Sequence, residues 1–190
     1  MTEIFFFLFT FIISGFIFLI FYETGNLKES GFYSSLFFGT LIFFFLGLKG
    51  FLPLLFFLLS KILMKKEREG FSFIFSNFFL PLLFSFIWYL KRDDLYFHLF
   101  LISLGTQISN IWGIKFEKIL LKLSGNFLGS IFSSFFALNF KFSIYVLTFS
   151  FLGSLINFLL SKIMKKYKEI FSAFISSSIF YIYYFLIKIK

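Results

Sequence analysis

Four asparagines stand inside otherwise apolar runs of this chain: Asn77, Asn110, Asn126 and Asn157. A carboxamide is neutral, and it both donates and accepts hydrogen bonds. In lipid such a group is costly, so it turns toward the interior of a helix bundle. Singly, each amide reads as interhelical glue worth about 0.6–2 kcal/mol. Four at a common depth point instead to a shared polar cavity. Small residues gather around them, among them Gly105, Thr106, Ser109, Gly113, Ser130 and Ser134, and a small-xxx-small pattern runs through Gly125, Gly129 and Ser133. That pattern lets helices approach closely, which fits plain packing equally well.

Other chemistries are excluded by composition. The chain has no cysteine, which removes disulfides, thiolate catalysis and Cys-ligated metals. It has one histidine, His98, so a multi-histidine metal site is excluded, and no metal site is expected from the residues alone. Gly47-Leu48-Lys49-Gly50 lacks the spacing and the hydroxyl of a phosphate-binding loop. No Gly-x-Ser-x-Gly elbow occurs. His98, near the end of a helix and beside Asp94, reads as structural, and Lys91-Arg92-Asp93-Asp94 reads as a solvated turn.

The elements that must position the amides are membrane helices. Of 190 residues 59% are apolar and 14% charged, against about 45–50% and 25% in soluble domains. Forty are Phe, more than a soluble core of this length buries. A spanning helix needs about 20 apolar residues. Candidate spans lie at 4–22, 31–48, 51–64, 71–90, 95–114, 125–140, 143–163 and 170–187. The expectation is one all-α integral membrane domain, a polytopic transmembrane bundle of about 6–8 spans. The 51–64 run is short, with Pro53 in its expected first turn; it forms either a tight hairpin around Lys49-Gly50 or a re-entrant segment. The 125–140 run is also short. The first run follows Met1-Thr2-Glu3 with no positive charge and no small-residue cleavage site, so it is expected to be a retained helix.

The net charge of +9 is a topology signal here rather than a nucleic-acid signal. Loops after 22, 64, 114 and 163 share one side, and that side holds twelve of the eighteen basic residues, counting Lys61 and Lys162 as snorkelling outward to it. It is therefore expected to be cytoplasmic, with both termini outside. On that orientation Asn77 lies roughly 9 Å inside its helix, at about 1.5 Å per residue. Asn110, Asn126 and Asn157 fall in the same half. One repeat occurs: Phe57-Leu58-Leu59-Ser60-Lys61-Ile62 recurs as Phe158-Leu159-Leu160-Ser161-Lys162-Ile163. It is either convergent wording in a biased sequence or a duplicated element with parallel ends.

Six segments stand in a fixed order, Gly25 to Gly31, Phe56 to Lys66, Asn77, Ser109 to Lys115, Gly125 to Ser130 and Ser150 to Asn157, and in that order the chain resembles a multi-pass membrane family, that of unknown-function domain 92, over about residues 25–170. Gly25-Asn26-Leu27-Lys28-Glu29-Ser30-Gly31 has the shape of its Gly-x-Leu-x-x-Ser-Gly loop, and Gly39 follows in the next helix. Phe56 to Lys66 matches its Phe-rich helix ending in Ser and a basic cluster. Asn77 stands at its Asn-Gly-Gly element, with Phe78-Phe79 in place of the glycines. Ser109-Asn110-Ile111-Trp112-Gly113-Ile114-Lys115 lies where the family has Ala-Asp-Thr-Trp-x-x-Glu. Gly125-Asn126-Phe127-Leu128-Gly129-Ser130 and Ser150-Phe151-Leu152-Gly153-Ser154-Leu155-Ile156-Asn157 resemble two later glycine motifs.

The resemblance implies phosphoryl transfer from CTP, with Mg²⁺, to a prenyl phosphate such as phytyl phosphate. It places family polar positions at Asn77, Asn110, Asn126 and Asn157, and with Trp112, the one identical residue of its motif, these are the candidate cavity residues. Two family aspartates are Asn110 and Asn157 here, and a glutamate is Lys115. Mg²⁺ prefers carboxylate oxygens, so these departures imply reduced or lost catalysis. Lys28 and Lys115 are the candidate anion-binding residues. The expected partner is a membrane lipid or prenyl phosphate, not nucleic acid, and the expected site is the cytoplasmic membrane. Two further readings stand beside this one: a transporter or flippase, motivated by the repeat and the amides, and a non-catalytic scaffold in which the amides are only glue.

Overall fold

A bilayer leaves no water for backbone polar groups, so a chain this apolar must satisfy them within each segment, as helices do. The structure, a computed structural model, describes residues 2–64, 70–114, 119–137, 140–164 and 168–188. Those residues form eight α-helices and no strand: α1 (Thr2–Glu23), α2 (Glu29–Leu46), α3 (Leu48–Met64), α4 (Phe71–Lys91), α5 (Asp94–Ile114), α6 (Ile119–Ser134), α7 (Phe140–Leu160) and α8 (Lys168–Lys188). Helices α1, α2, α4, α7 and α8 are long and apolar enough to cross a membrane. The chain is an all-α integral membrane protein.

Helix α5 forms the centre. Every residue from Phe97 through Ile111 is buried, and α5 touches α3, α4, α6, α7 and α8. Its interior run carries Ser103, Thr106, Gln107, Ser109 and Asn110, all buried. This explains why a segment read as one of the clearer spans falls outside the five most lipid-like helices: protein, not lipid, surrounds it. At the other extreme, α1 buries only a stripe of Thr10, Ser14, Phe18 and Phe21 and leaves residues such as Phe5, Ile12 and Phe16 exposed.

Small residues set the crossings. A Cβ on Gly129 of α6 would lie 2.8 Å from the Ser109 Cα of α5, so these backbones meet directly. The hydroxyls of Ser109 and Ser130 bond across the same crossing at 2.6 Å. Gly105 of α5 is packed against Ser133 and Ser150, and Gly153 of α7 against Thr106 and Ser176.

Three boundaries differ from the sequence expectation. The turn between α2 and α3 is Gly47 alone, at φ 64° and ψ −152°, a conformation open essentially to glycine. Lys49-Gly50 is helical, and α3 is one continuous helix of 17 residues, roughly 25 Å at 1.5 Å per residue, with Pro53 inside it rather than in its first turn. Proline loses only one intrahelical bond at that position, four residues from Lys49 near the helix end. Helix α6 begins at Ile119 and ends at Ser134, so the 125–140 span is displaced toward the N-terminus and Asn126 lies in its third turn, not at its start. Its first turns admit Lys122, whose ammonium lies over the Phe158 ring at 4.9 Å. The 91–94 run does form a turn: Arg92 adopts a left-handed C-cap at φ 54°, and the Asp93 carboxylate accepts the Leu95 N–H at 2.9 Å, capping α5.

The repeat takes two different structures. Its first copy is helical as far as it runs, whereas α7 ends at Leu160, so Ser161-Lys162-Ile163 forms a turn. Ser60 and Lys61 are buried; Ser161 and Lys162 are exposed. The two copies are not a structurally duplicated element.

Candidate functional site

The four asparagines line one cavity of about 160 Å³ at the end of the bundle where α3, α5 and α7 finish and α4, α6 and α8 begin. Each comes from a different helix: Asn77 from α4, Asn110 from α5, Asn126 from α6 and Asn157 from α7. Helices α3 and α8 complete the wall with Lys61, Lys168 and Glu169.

Local bonds hold the amides in two ways. Asn77 donates through Nδ2 to the Phe73 carbonyl at 2.7 Å, one turn back along α4. Asn110 donates through Nδ2 to Gln107 Oε1 at 3.3 Å. Gln107 in turn donates through Nε2 to the Glu169 carbonyl at 2.9 Å, tying the first turn of α8 to α5. The Oδ1 atoms of Asn126 and Asn157 are buried with no hydrogen-bond partner. An unpaired buried acceptor costs about 1–3 kcal/mol. A ligand that brings its own hydroxyl or N–H group, or a bound water, would relieve that cost.

Sequence reasoning left out most of the site's charge. Among the described residues, Lys61, Lys122 and Lys168 line the cavity with Glu169, three ammoniums beside one carboxylate. Lys61 is 6% exposed, with its ammonium 4.1 Å from the centroid of the Phe73 ring. The sequence put it at a helix end and turned it outward to water; the rotation of α3 turns it inward. Lys122 was assigned to a loop, but it lies within α6. Gln107 was recoverable, since it stands three residues before Asn110 and shares its face of the helix.

Two residues that the sequence put at the site lie elsewhere. Trp112 lies two residues beyond Asn110, about 200° around the helix, and does not line the cavity. Its ring packs 5.0 Å from Phe132, and its Nε1 is buried without a partner. Lys28 is an exposed residue that precedes α2 and sits beside Gly70 at the start of α4, outside the cavity wall. Lys115 lies outside the described residues. Lys49 sits at the opposite end of the continuous helix α3 from Lys61, away from the cavity.

The donor set does not fit Mg²⁺–CTP. Among the described residues no group of three or more His, Asp or Glu side chains is placed to hold a metal. Among the described residues the cavity offers a single carboxylate beside three ammoniums, the reverse of what a hard divalent cation needs. Its volume of about 160 Å³ is also below the ~300–1,000 Å³ usual for small-molecule pockets. It has room for a compact anionic group with a few waters at roughly 30 Å³ each. No family model, curated protein or solved structure matches this chain.

Proposed function

We propose that this integral membrane protein binds a phosphorylated lipid of the prenyl-phosphate class, with the phosphate in the amide–lysine cavity, and that it does so without phosphoryl transfer. The observation that carries this reading is the convergence of Lys61, Lys122 and Lys168 with four asparagine amides in one small cavity at one end of the bundle. Cations in a low-dielectric wall concentrate an anion, and amide N–H groups orient its oxygens. The bias of basic residues toward this end of the helices supports a cytoplasmic orientation for it, and the cytoplasmic membrane is the location this reading assigns. Farther from this end, the close crossings of α5 with α6 and α7 at Ser109, Gly105 and Thr106 favour a one-sided binding site over a transport path open at both ends.

The test is thermal unfolding of the detergent-purified protein with a short-chain prenyl phosphate, with Mg²⁺–CTP, and with both. A ligand at a hundred times its Kd adds about 2.7 kcal/mol, roughly 5–10 °C for a chain of this size. The expected result is a shift with the prenyl phosphate alone that disappears in the Asn110→Ala/Asn157→Ala double variant. A shift with Mg²⁺–CTP alone, and a phosphorylated product, would replace this proposal with an active kinase. No shift with any ligand would leave the amides as packing groups of a scaffold.

A further inference from the structure

The opposite end of the bundle carries a second groove, independent of the amide cavity. It lies between the start of α1 and the ends of α2 and α4, and encloses about 390 Å³. Its walls include Glu3, Phe6, Phe44, Trp88, Tyr89 and Arg92. Arg92 is held in place: its guanidinium lies 4.9 Å from the ring centroids of both Trp88 and Tyr89. Glu3 is met by the Tyr89 hydroxyl, which donates to its Oε1 at 3.4 Å. Among the described residues no ion pair joins Glu3 to Arg92, so an anchored cation and a carboxylate both face one groove. Between them the ring of Phe44 packs against Phe6 at 5.9 Å and Tyr89 at 5.8 Å.

We propose that this groove binds the headgroup of a zwitterionic glycerophospholipid, with its phosphate on Arg92 and its ammonium on Glu3 and the neighbouring ring faces. A guanidinium matches phosphate oxygens, and an ammonium is attracted both by a carboxylate and by the negative faces of aromatic rings. A ligand bearing only one charge satisfies only half of the groove. The source is the bilayer, because α1 presents an exposed apolar surface of Phe5, Phe9, Ile12 and Phe16 beside the groove. Trp88 and Tyr89 sit near the end of a spanning helix, at the depth where lipid headgroups lie.

The full chain, delipidated in detergent, is titrated with mixed micelles of dioleoyl phosphatidylethanolamine or dioleoyl phosphatidylglycerol, and bound lipid is counted by native mass spectrometry. Phosphatidylethanolamine is expected to bind about tenfold more tightly than phosphatidylglycerol, the equivalent of one charge-assisted hydrogen bond. Glu3→Gln is expected to lower phosphatidylethanolamine to the phosphatidylglycerol level and leave the latter unchanged. Arg92→Gly is expected to weaken both lipids, and it keeps the left-handed cap because glycine adopts positive φ freely. Lys162→Ala, an exposed lysine at the other end of the bundle and outside both binding walls, is expected to change neither. Equal binding of the two lipids to the unaltered chain, or phosphatidylethanolamine binding untouched by Glu3→Gln, overturns the proposal. Glu3 is exposed, so its variant reports even if the Arg92 variant folds poorly.

Discussion

The side-chain amide of Asn126 on α6 occupies the space where a Cβ on Gly113 of α5 would stand. Only glycine leaves room there, so the helix crossing and the placement of one cavity amide depend on the same missing methyl group. Gly113→Ala must move the amide. Overpacking of this kind costs typically 1–3 kcal/mol, and loss of about that much stability is expected in thermal unfolding, together with loss of the prenyl-phosphate shift. Gly113→Ala/Asn126→Ala restores the space, so the double variant is expected to recover stability but not ligand response. If the two substitutions add rather than compensate, the pair is not coupled as the geometry requires.

Gly129 makes a harder contact than Gly113. Its added Cβ meets the Ser109 backbone rather than the end of a side chain, at 2.8 Å from Cα. A backbone atom yields only if the helices separate, and separation breaks the 2.6 Å contact between the Ser109 and Ser130 hydroxyls. Gly129→Ala is therefore expected to destabilise at least as much as Gly113→Ala, at about 2–3 kcal/mol. No second-site alanine in the cavity should rescue it. Thermal unfolding of the single variant and of Gly129→Ala/Asn126→Ala decides the point.

The helices were legible in the sequence because an apolar run of about 20 residues has few other structures open to it. Their ends were less so. Gly47 breaks α2 from α3 through its own positive φ, with only one residue between the helices, while the Lys49-Gly50 pair looked more like a turn. The common depth of Asn77, Asn110, Asn126 and Asn157 was legible because depth follows from counting along a helix. Facing was not. Trp112 and Asn110 differ by two residues and point to different neighbours, and Lys61 turns inward onto Phe73 of α4, which the sequence does not place beside it.

Lys61 and Lys162 occupy matching positions in the repeated sequence and opposite environments in the fold. Lys61 is buried and lines the cavity; Lys162 is exposed on the turn after α7. Lys61→Ala is expected to weaken prenyl-phosphate binding about tenfold, the scale of a charge-assisted contact. Lys162→Ala is expected to leave affinity within about twofold, since an exposed charge is screened by solvent and salt. Isothermal titration in detergent separates the two. Equal losses would show that general basic charge at this end, not the cavity, holds the ligand.

Glu169 gives a test with the opposite sign. Among the described residues it is the one carboxylate on the cavity wall. Its backbone carbonyl accepts from Gln107, so Glu169→Gln removes charge and leaves the tie between α5 and α8 in place. If the cavity binds phosphate through the three lysines, the neutral variant binds more tightly. The expected gain is about fivefold, or ~1 kcal/mol, for two like charges several ångströms apart in a partly screened site. If the cavity instead holds a cation through the free Oδ1 atoms of Asn126 and Asn157, the same substitution weakens binding. The two chemistries predict opposite directions for one isosteric change, so titration of prenyl phosphate and of Mg²⁺ into Glu169→Gln distinguishes an anion site from a metal site without any assay of turnover.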